Sequence, residues 1–229
     1  VAAPSVFAAT GSTLSVASGR ISYLLELDGS CLSVDTACSA TLVALHASLS
    51  SLRLQECAGG TACGVGFLLG PSVFVAFGAA GMLSARGRCH TFDLRADGYS
   101  RAEGCVALAA EQRRLASHTH LAAMLGSAAQ QDGASASLTA PNGSSQRRLY
   151  GAVHAQAHAM AGEACCTEAH GTGTELGDPI EVGSVAGFFA HQRDREGGSV
   201  VCGSLKANAG HMEAVAAAGG LASAADALL

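Results

Sequence analysis

The sequence predicts an α/β layered fold, and two observations carry this prediction. Short apolar segments bounded by glycine, proline or polar residues alternate with segments of helical periodicity, which is the pattern of strands packed against helices. Glycine is abundant, with 29 residues among 229, whereas aromatic residues make up only 4%. Such small side chains allow helices to lie close to a sheet.

The clearest predicted helix covers residues 39–54. Apolar residues recur there at spacings of three and four and so form one face. These residues are Leu42, Leu45, Leu49 and Leu52. A short strand is predicted directly before the helix, over residues 31–35, which places a strand–helix junction at residues 36–38.

The remaining elements follow in order along the chain. Strands are predicted over residues 62–69, 104–110, 122–129, 165–169 and 199–205. Helices are predicted within residues 1–27 and over residues 73–81, 145–160 and 212–229, with Ser145 as the N-cap of the third. A further helix is expected to begin with Asp178 as its N-cap and Pro179 in its first turn.

Composition excludes several classes of protein. Hydrophobic residues make up 49% of the chain and charged residues 14%, which excludes a disordered chain. The net charge is −5, and lysine and arginine form no run longer than a pair, so no nucleic-acid partner is expected. Residues 58–85 are uncharged and long enough to cross a bilayer, but seven glycines and Pro71 favour a strand, a turn and a short helix. No membrane span is expected.

Cys38 stands apart from the other cysteines. The nine cysteines form no CxxC pair, and eight are interpreted as small buried hydrophobic residues in a reducing compartment. Cys38 lies at the predicted strand–helix junction, where unpaired N–H groups and the helix dipole are expected to lower the pKa of a thiol. The same N–H groups could stabilise an oxyanion. Cys38 is therefore a candidate nucleophile.

Two histidines share a local setting. His170 and His211 each follow a predicted strand and lie beside glycines, which allow the backbone to turn sharply. A lone histidine in such a position is more often structural. Two in equivalent positions, together with Cys38, favour a catalytic site.

Ordered motifs then point to a family. Residues 34–39 read VDTACS, residues 168–174 read EAHGTGT, residues 177–181 read GDPIE, and residues 203–211 read GSLKANAGH, with DGY at 97–99 and LTAPNG at 138–143 between them. The first segment resembles the nucleophile motif of β-ketoacyl synthases, the ketosynthase domains of type I polyketide synthases. Residues 168–174 with 177–181 resemble the first histidine motif of that family, and residues 203–211 resemble its lysine and second histidine motif. The two segments between them match intervening signatures in the expected order. The resemblance covers essentially the whole chain.

The resemblance implies a thiolase-like α-β-α-β-α layered fold. Residues 1–229 would be the central part of one ketosynthase domain, with its N-terminal and C-terminal portions missing. A homodimer would be the assembly of the full domain. The location would be the cytoplasm, or a plastid in a eukaryote.

The resemblance also implies a reaction. Cys38 would accept an acyl group, and a malonyl-type extender would lose carbon dioxide. His170 and His211 would donate hydrogen bonds to the enolate oxygen, and the carbanion would attack the Cys38 thioester. Lys206 would tune and order the histidine site. Two oriented imidazole donors can stabilise this charge without a metal.

Carrier binding is implied in the same way. Acyl and malonyl thioesters would arrive on the phosphopantetheine of an acyl carrier protein, and Thr172 and Thr174 would contact the pantetheine arm. The domain would bind no cofactor or metal of its own.

Three alternatives stay open at this point. A non-elongating, carrier-binding domain would transfer acyl groups without condensing them, although such domains usually lose one histidine. A thiolase would pair its cysteine with a second one near the C-terminus. A single-function fatty-acid synthase component is also compatible with the sequence.

His154 and His158 have metal-like spacing but no third ligand, so a solvent-facing helix is predicted there.

Overall fold

The computed structural model describes residues 5–112, 120–137, 139–158, 164–192 and 199–227. The helices are α1 (Ala8–Ser12), α2 (Leu14–Leu24), α3 (Ala40–Arg53), α4 (Ser72–Ala79), α5 (Gly143–Ala157), α6 (Gly177–Gln192), α7 (Lys206–Ala209) and α8 (Ala216–Asp226). The strands are β1 (Gly59–Gly66), β2 (Gly104–Glu111), β3 (Cys166–Glu168) and β4 (Val201–Gly203). Short 3₁₀ helices at Ala37–Ser39 and Glu213–Val215 precede α3 and α8.

The described residues contain two sheets of two strands each. β1 and β2 are antiparallel, with their register running from Gly59 opposite Glu111 to Gly66 opposite Gly104. β3 and β4 are parallel, and Glu168 lies opposite Gly203 at the last pair. Because parallel strands end at the same edge, the segments that follow β3 and β4 start side by side.

Two predicted strands are absent from the structure. Residues 31–35 and 122–129 have no regular secondary structure. A strand needs a neighbour to complete its backbone ladder, and neither segment pairs with another strand among the described residues. The prediction of strands at these two places is wrong.

Helix α5 begins earlier than predicted. Asn142 is its N-cap, because the side-chain oxygen of Asn142 accepts hydrogen bonds from the N–H groups of Ser144 and Ser145 at 3.1 and 3.2 Å. Ser145 lies inside the first turn and is buried. The predicted Ser145 cap is therefore wrong, and the amide of Asn142 takes its role.

The core lies between α3 and the first sheet. Leu45, Leu49 and Leu52 are buried against Ala62 of β1, and each such side chain stabilises the fold by about 1.5–3 kcal/mol. Ala44, Cys57, Leu108, Ala110 and Leu221 pack around this cluster. The predicted apolar face of α3 is confirmed for these three leucines, whereas Leu42 is 37% exposed in the first turn.

Helices α5 and α6 pack through aromatic rings. The ring of His154 lies 4.9 Å from that of Phe188, and Tyr150 contacts the same Phe188 at 5.7 Å. His154 therefore faces α6, and its predicted solvent-facing position is wrong. His158 is exposed where the helix ends.

No helix within the described ranges is both long and apolar enough to cross a membrane.

Candidate active site

Cys38 lies in a turn that feeds directly into α3. Ala37 has φ +52°, a left-handed conformation that alanine rarely adopts, and its N–H donates to the Asp35 carboxylate at 3.1 Å. The helix behind this turn is anchored by Thr41, whose hydroxyl donates to the carbonyl of Ala214 at 2.5 Å. The predicted junction is confirmed in position, with a strained turn in place of a strand end.

His170 is held through its backbone by a buried carboxylate. One oxygen of Glu181 accepts from the N–H of His170 at 2.6 Å, and the other accepts from Gly171 at 2.8 Å. Burial raises the pKa of Glu181, although these two N–H donors lower it. Glu181 lies on α6, so the helix after the histidine motif fixes where that histidine sits.

The rest of this loop is organised by Asp178. One of its oxygens accepts from the N–H groups of Gly173 and Thr174 at 3.1 and 3.2 Å. The other accepts from Phe92 at 2.8 Å. Helix α6 begins at Gly177, so Asp178 lies within its first turn. The Asp178 carboxylate accepts hydrogen bonds from the loop that precedes the helix. Its predicted role as the N-cap of α6 is wrong.

Glycine is required at two points of the same loop. Gly171 and Gly173 have φ +49° and +77°. A Cβ on Gly173 would lie 2.7 Å from the backbone nitrogen of His90. Glycine therefore allows both the left-handed turn and the close backbone approach, as the sequence predicted.

His211 is fixed from both sides of its backbone. Its N–H donates to the carbonyl of Ser100 at 2.7 Å, and its carbonyl accepts from Ala102 at 3.0 Å. Its Nδ1 accepts from the backbone N–H of Glu213 at 2.9 Å. In a neutral imidazole, the proton must then be on Nε2. His211 therefore presents an N–H donor.

Lys206 is a buried cation between the two histidines in sequence. Lys206 is the first residue of α7, three positions after the last residue of β4, and is only 2% exposed. Burial lowers the pKa of Lys206, while the carboxylates of Glu168 and Glu181 raise it. Its charge acts on the cysteine and on both histidines.

The predicted catalytic residues come together in one place. Cys38 Sγ lies 4.0 Å from His170 Nε2. The His170 and His211 rings are 5.8 Å apart and perpendicular, at 88°. One sulfur or nitrogen atom from each of the three residues lies within 4.8 Å of the others. An acyl group on Cys38 would therefore have two imidazoles beside it.

Both imidazoles are neutral at physiological pH. The pKa of His170 is lowered to about 4, first by desolvation and then by the charge of Lys206. Although the residue as a whole is exposed, the protein atoms packed around the His170 ring disfavour its charged form. The pKa of His211 is lowered to about 3 by burial, by His170 and by Lys206. Neutral rings can donate a hydrogen bond to a developing oxyanion.

The thiol of Cys38 departs from the sequence prediction. Burial raises its pKa, and this effect exceeds the opposing effects of a backbone N–H and of Lys206. The predicted lowering of the pKa is therefore wrong. The backbone N–H of Cys38 lowers the pKa, as the sequence predicted for N–H groups at this junction, but the loss of water around the sulfur outweighs it.

One cysteine and two histidines also resemble a set of metal ligands. A metal bound at His211 Nε2 would need the ring proton to move to Nδ1. That move would break the hydrogen bond from Glu213. The tautomer of His211 thus suits hydrogen-bond donation better than metal binding.

Thr172 and Thr174 lie on the loop after His170. Their hydroxyl oxygens are 3.3 Å apart, and Thr174 accepts from the N–H of Gly177 at 3.2 Å. Thr172 is buried and Thr174 half-buried. Their contact with a pantetheine arm stays a prediction.

Sequence reasoning missed the supporting residues. Glu181 and Asp178 were recognised only as part of a motif or as a helix cap, and Arg101 and Glu213 were given no role. A signal was available for Asp178. It follows Gly173 and Thr174 by five and four residues, and the short side chain of aspartate commonly accepts hydrogen bonds from neighbouring backbone N–H groups.

Comparisons with known proteins identify the family of the chain. Residues 2–116 match the model of the β-ketoacyl synthase N-terminal domain, and residues 121–229 match that of the β-ketoacyl synthase C-terminal domain. The chain is 46% identical over 216 residues to mycoketide-CoA synthase of Mycobacterium tuberculosis, covering 93% of this chain and 5% of that protein. It is 44% identical over 214 residues to erythronolide synthase EryA2 of Saccharopolyspora erythraea, covering 92% and 6%.

Solved ketosynthase structures are similar to this chain over nearly its whole length. A ketosynthase from module 6 of the bacillaene synthase of Bacillus subtilis has a TM-score of 0.91 at 32% identity, covering 94% of this chain and 38% of that one. An oxazolomycin ketosynthase domain of Streptomyces albus has a TM-score of 0.90 at 32% identity, covering 93% and 37%. The predicted thiolase-like α/β fold is confirmed by this similarity. The chain belongs to the β-ketoacyl synthase family.

Proposed function

We propose that this chain catalyses a decarboxylative Claisen condensation. An acyl group on Cys38 would be joined to a malonyl-type extender on an acyl carrier protein, giving a β-ketoacyl thioester in polyketide or fatty-acid synthesis. The enzyme would be an acyltransferase. The observation that carries the proposal is the convergence of Cys38, His170 and His211 within 4.8 Å.

The first step loads the cysteine. The Cys38 sulfur attacks the carrier thioester, a new C–S bond forms, and the pantetheine sulfur leaves and takes up a proton. Lys206 and the Cys38 N–H both favour the thiolate. The first N–H groups of the helix that follows would stabilise the tetrahedral oxyanion.

The second step forms the carbon–carbon bond. The malonyl carboxylate leaves as carbon dioxide, and its bonding electrons form an enolate. His170 and His211, both neutral, donate hydrogen bonds to the enolate oxygen. The enolate carbon then attacks the Cys38 thioester, the C–S bond breaks, and the thiolate takes up one proton.

Lys206 would tune this site from a buried position. Burial lowers the pKa of His170 and of His211, and the charge of Lys206 lowers both further, so both rings stay neutral and able to donate. Thr172 and Thr174 would contact the pantetheine arm of the incoming carrier. Phosphopantetheine would thus arrive on the acyl carrier protein, and the domain would bind no cofactor or metal itself.

Residues 1–229 would be the central part of one ketosynthase domain, and the full domain would assemble as a homodimer. Large apolar side chains are exposed near α4, including Phe67 at 57% and Val75 at 70%, and such surfaces favour association. We place the enzyme in the cytoplasm, where its nine free cysteines would stay reduced.

The test combines the full-length protein with an acyl carrier protein and a malonyl carrier protein. We expect acylation of Cys38, release of carbon dioxide and a β-ketoacyl product. Acylation without decarboxylation would identify a non-elongating transfer domain. Condensation of two acyl-CoA molecules without carbon dioxide release would identify a thiolase. His170→Ala should block decarboxylation and spare acylation.

A further inference from the structure

Arg101 and His211 lie opposite each other on two neighbouring backbone segments. The two residues form a parallel β-bridge, so the segment before β2 runs next to the second histidine motif. The N–H of Ala102 donates to the carbonyl of His211 at 3.0 Å. A displacement of Arg101 would therefore be felt at the histidine.

The guanidinium of Arg101 is buried, with 3% of its side chain exposed. Its Nε lies 2.5 Å from a carboxylate oxygen of Glu213. Its central carbon lies 4.4 Å from the ring centre of Phe74 and 5.5 Å from that of Phe77. Nη1 is buried and has no hydrogen-bond partner in the described part of the chain. Glu213 is thus the carboxylate that compensates a buried charge lying over two aromatic rings.

The backbone of Glu213 is held in an unusual conformation. Its φ is +51°, a left-handed conformation that costs a glutamate free energy and persists only when its surroundings impose it. In this conformation its N–H donates to His211 Nδ1 at 2.9 Å. The same residue therefore contacts Arg101 through its side chain and His211 through its backbone.

We infer that Arg101 is a positioning residue for His211. The ion pair between Arg101 and Glu213 holds the Glu213 backbone in place, and the Glu213 N–H keeps His211 in the tautomer with its proton on Nε2. That proton points the hydrogen bond toward the substrate side. The consequence for decarboxylation rests on the proposed function, whereas the tautomer itself does not.

Two variants of the full-length protein test the inference. Arg101→Met removes the cation. Glu213→Gln keeps the size of the side chain and the backbone N–H but removes the anion. Nitrogen-15 NMR of labelled histidines reports the tautomer, and a His211→Gln variant identifies the His211 signal. We expect wild-type His211 to carry its proton on Nε2, and both variants to populate the other tautomer.

Kinetics provide a second measurement. At metal sites, loss of an outer partner that orients a ligating histidine typically costs about 10–100-fold in metal affinity or activity, and we take that factor as the scale for an oriented histidine here. We therefore expect malonyl decarboxylation to fall by about that factor in both variants, while acylation of Cys38 stays unchanged. Arg101→Lys, which keeps a charge beside Glu213, should recover part of the loss.

A matched control is available on the surface. Arg95 pairs with Asp93 at 2.7 Å, with 64% of the arginine side chain exposed. Arg95→Met should leave the tautomer and decarboxylation unchanged. An unchanged tautomer in a folded Arg101→Met or Glu213→Gln variant would overturn the inference, whatever the rate. If Arg101→Met does not fold, Glu213→Gln decides. If the wild type does not decarboxylate at all, the proposed function fails, and the tautomer still decides the role of Arg101.

Discussion

Glu181 accepts hydrogen bonds from the backbone of His170, so the helix that follows the first histidine motif holds that motif in place. The distances are 2.6 Å to the N–H of His170 and 2.8 Å to that of Gly171. Both carboxylate oxygens are used, and the residue is only 9% exposed. The position of His170 thus depends on a carboxylate that has no proposed part in the reaction itself.

The stability of this loop should fall when Glu181 becomes glutamine. The amide oxygen of glutamine could accept from only one of the two N–H groups, those of His170 and Gly171. The NH₂ group would then face the other N–H group, and both of these are donors. A buried donor without an acceptor costs about 1–3 kcal/mol. Urea unfolding of Glu181→Gln should therefore show a lower free energy of unfolding. Glu175→Gln is the control because Glu175 is exposed on the same loop, and an equal loss in both variants would contradict the role of Glu181.

Stability should also depend on pH through the two histidines. The pKa values of His170 and His211 are about 4 and about 3 in the folded chain, below the ordinary value of about 6.5. Between these values the unfolded chain binds more protons, so stability is lost as pH falls from about 6.5 toward about 4. His211→Gln should lose less free energy of unfolding than the wild type between about pH 7.5 and about pH 5. Equal losses in both proteins would contradict the lowered pKa of His211.

The sequence was sufficient to predict which residues come together, because each predicted catalytic residue stands at a local landmark. Cys38 precedes a helix with a clear leucine face, and His170 and His211 stand beside glycines that have positive φ at positions 171, 173 and 210. Patterns of this kind involve only a few neighbouring residues and can therefore be recognised in the sequence. The family motifs then placed these landmarks in one site, which local patterns alone cannot do.

What the sequence could not reveal depends on distant partners. Residues 122–129 have an apolar pattern, but a strand forms only where another strand pairs with it. The pKa of Cys38 follows from how much protein surrounds the sulfur, which no local pattern records. Arg101 and Glu213 are 112 positions apart, and their pairing becomes visible only in the folded chain.

The turn before the nucleophile makes a further prediction. Ala37 has φ +52°, which costs an L-residue about 1–2 kcal/mol, while glycine adopts it freely. Ala37→Gly should therefore keep the rate of Cys38 acylation, and Ala37→Val should lower it because a β-branched side chain strongly disfavours this conformation. The acylation rate with an acyl carrier protein measures the effect. An equal rate in the two variants would show that the strained turn does not position the thiol.

The charge of Lys206 should be measurable at three groups at once. It lowers the pKa of Cys38, of His170 and of His211. Lys206→Met should therefore raise all three pKa values, so that alkylation of Cys38 moves to higher pH and the histidine NMR titrations do the same. Lys206→Arg keeps the charge and should leave these profiles near those of the wild type. A Cys38 profile that is identical in Lys206→Met and the wild type would show that the cation acts on the loop structure and not on the thiol. Such a result would also remove Lys206 from the step that loads the acyl group, and would leave burial as the factor that sets the reactivity of Cys38.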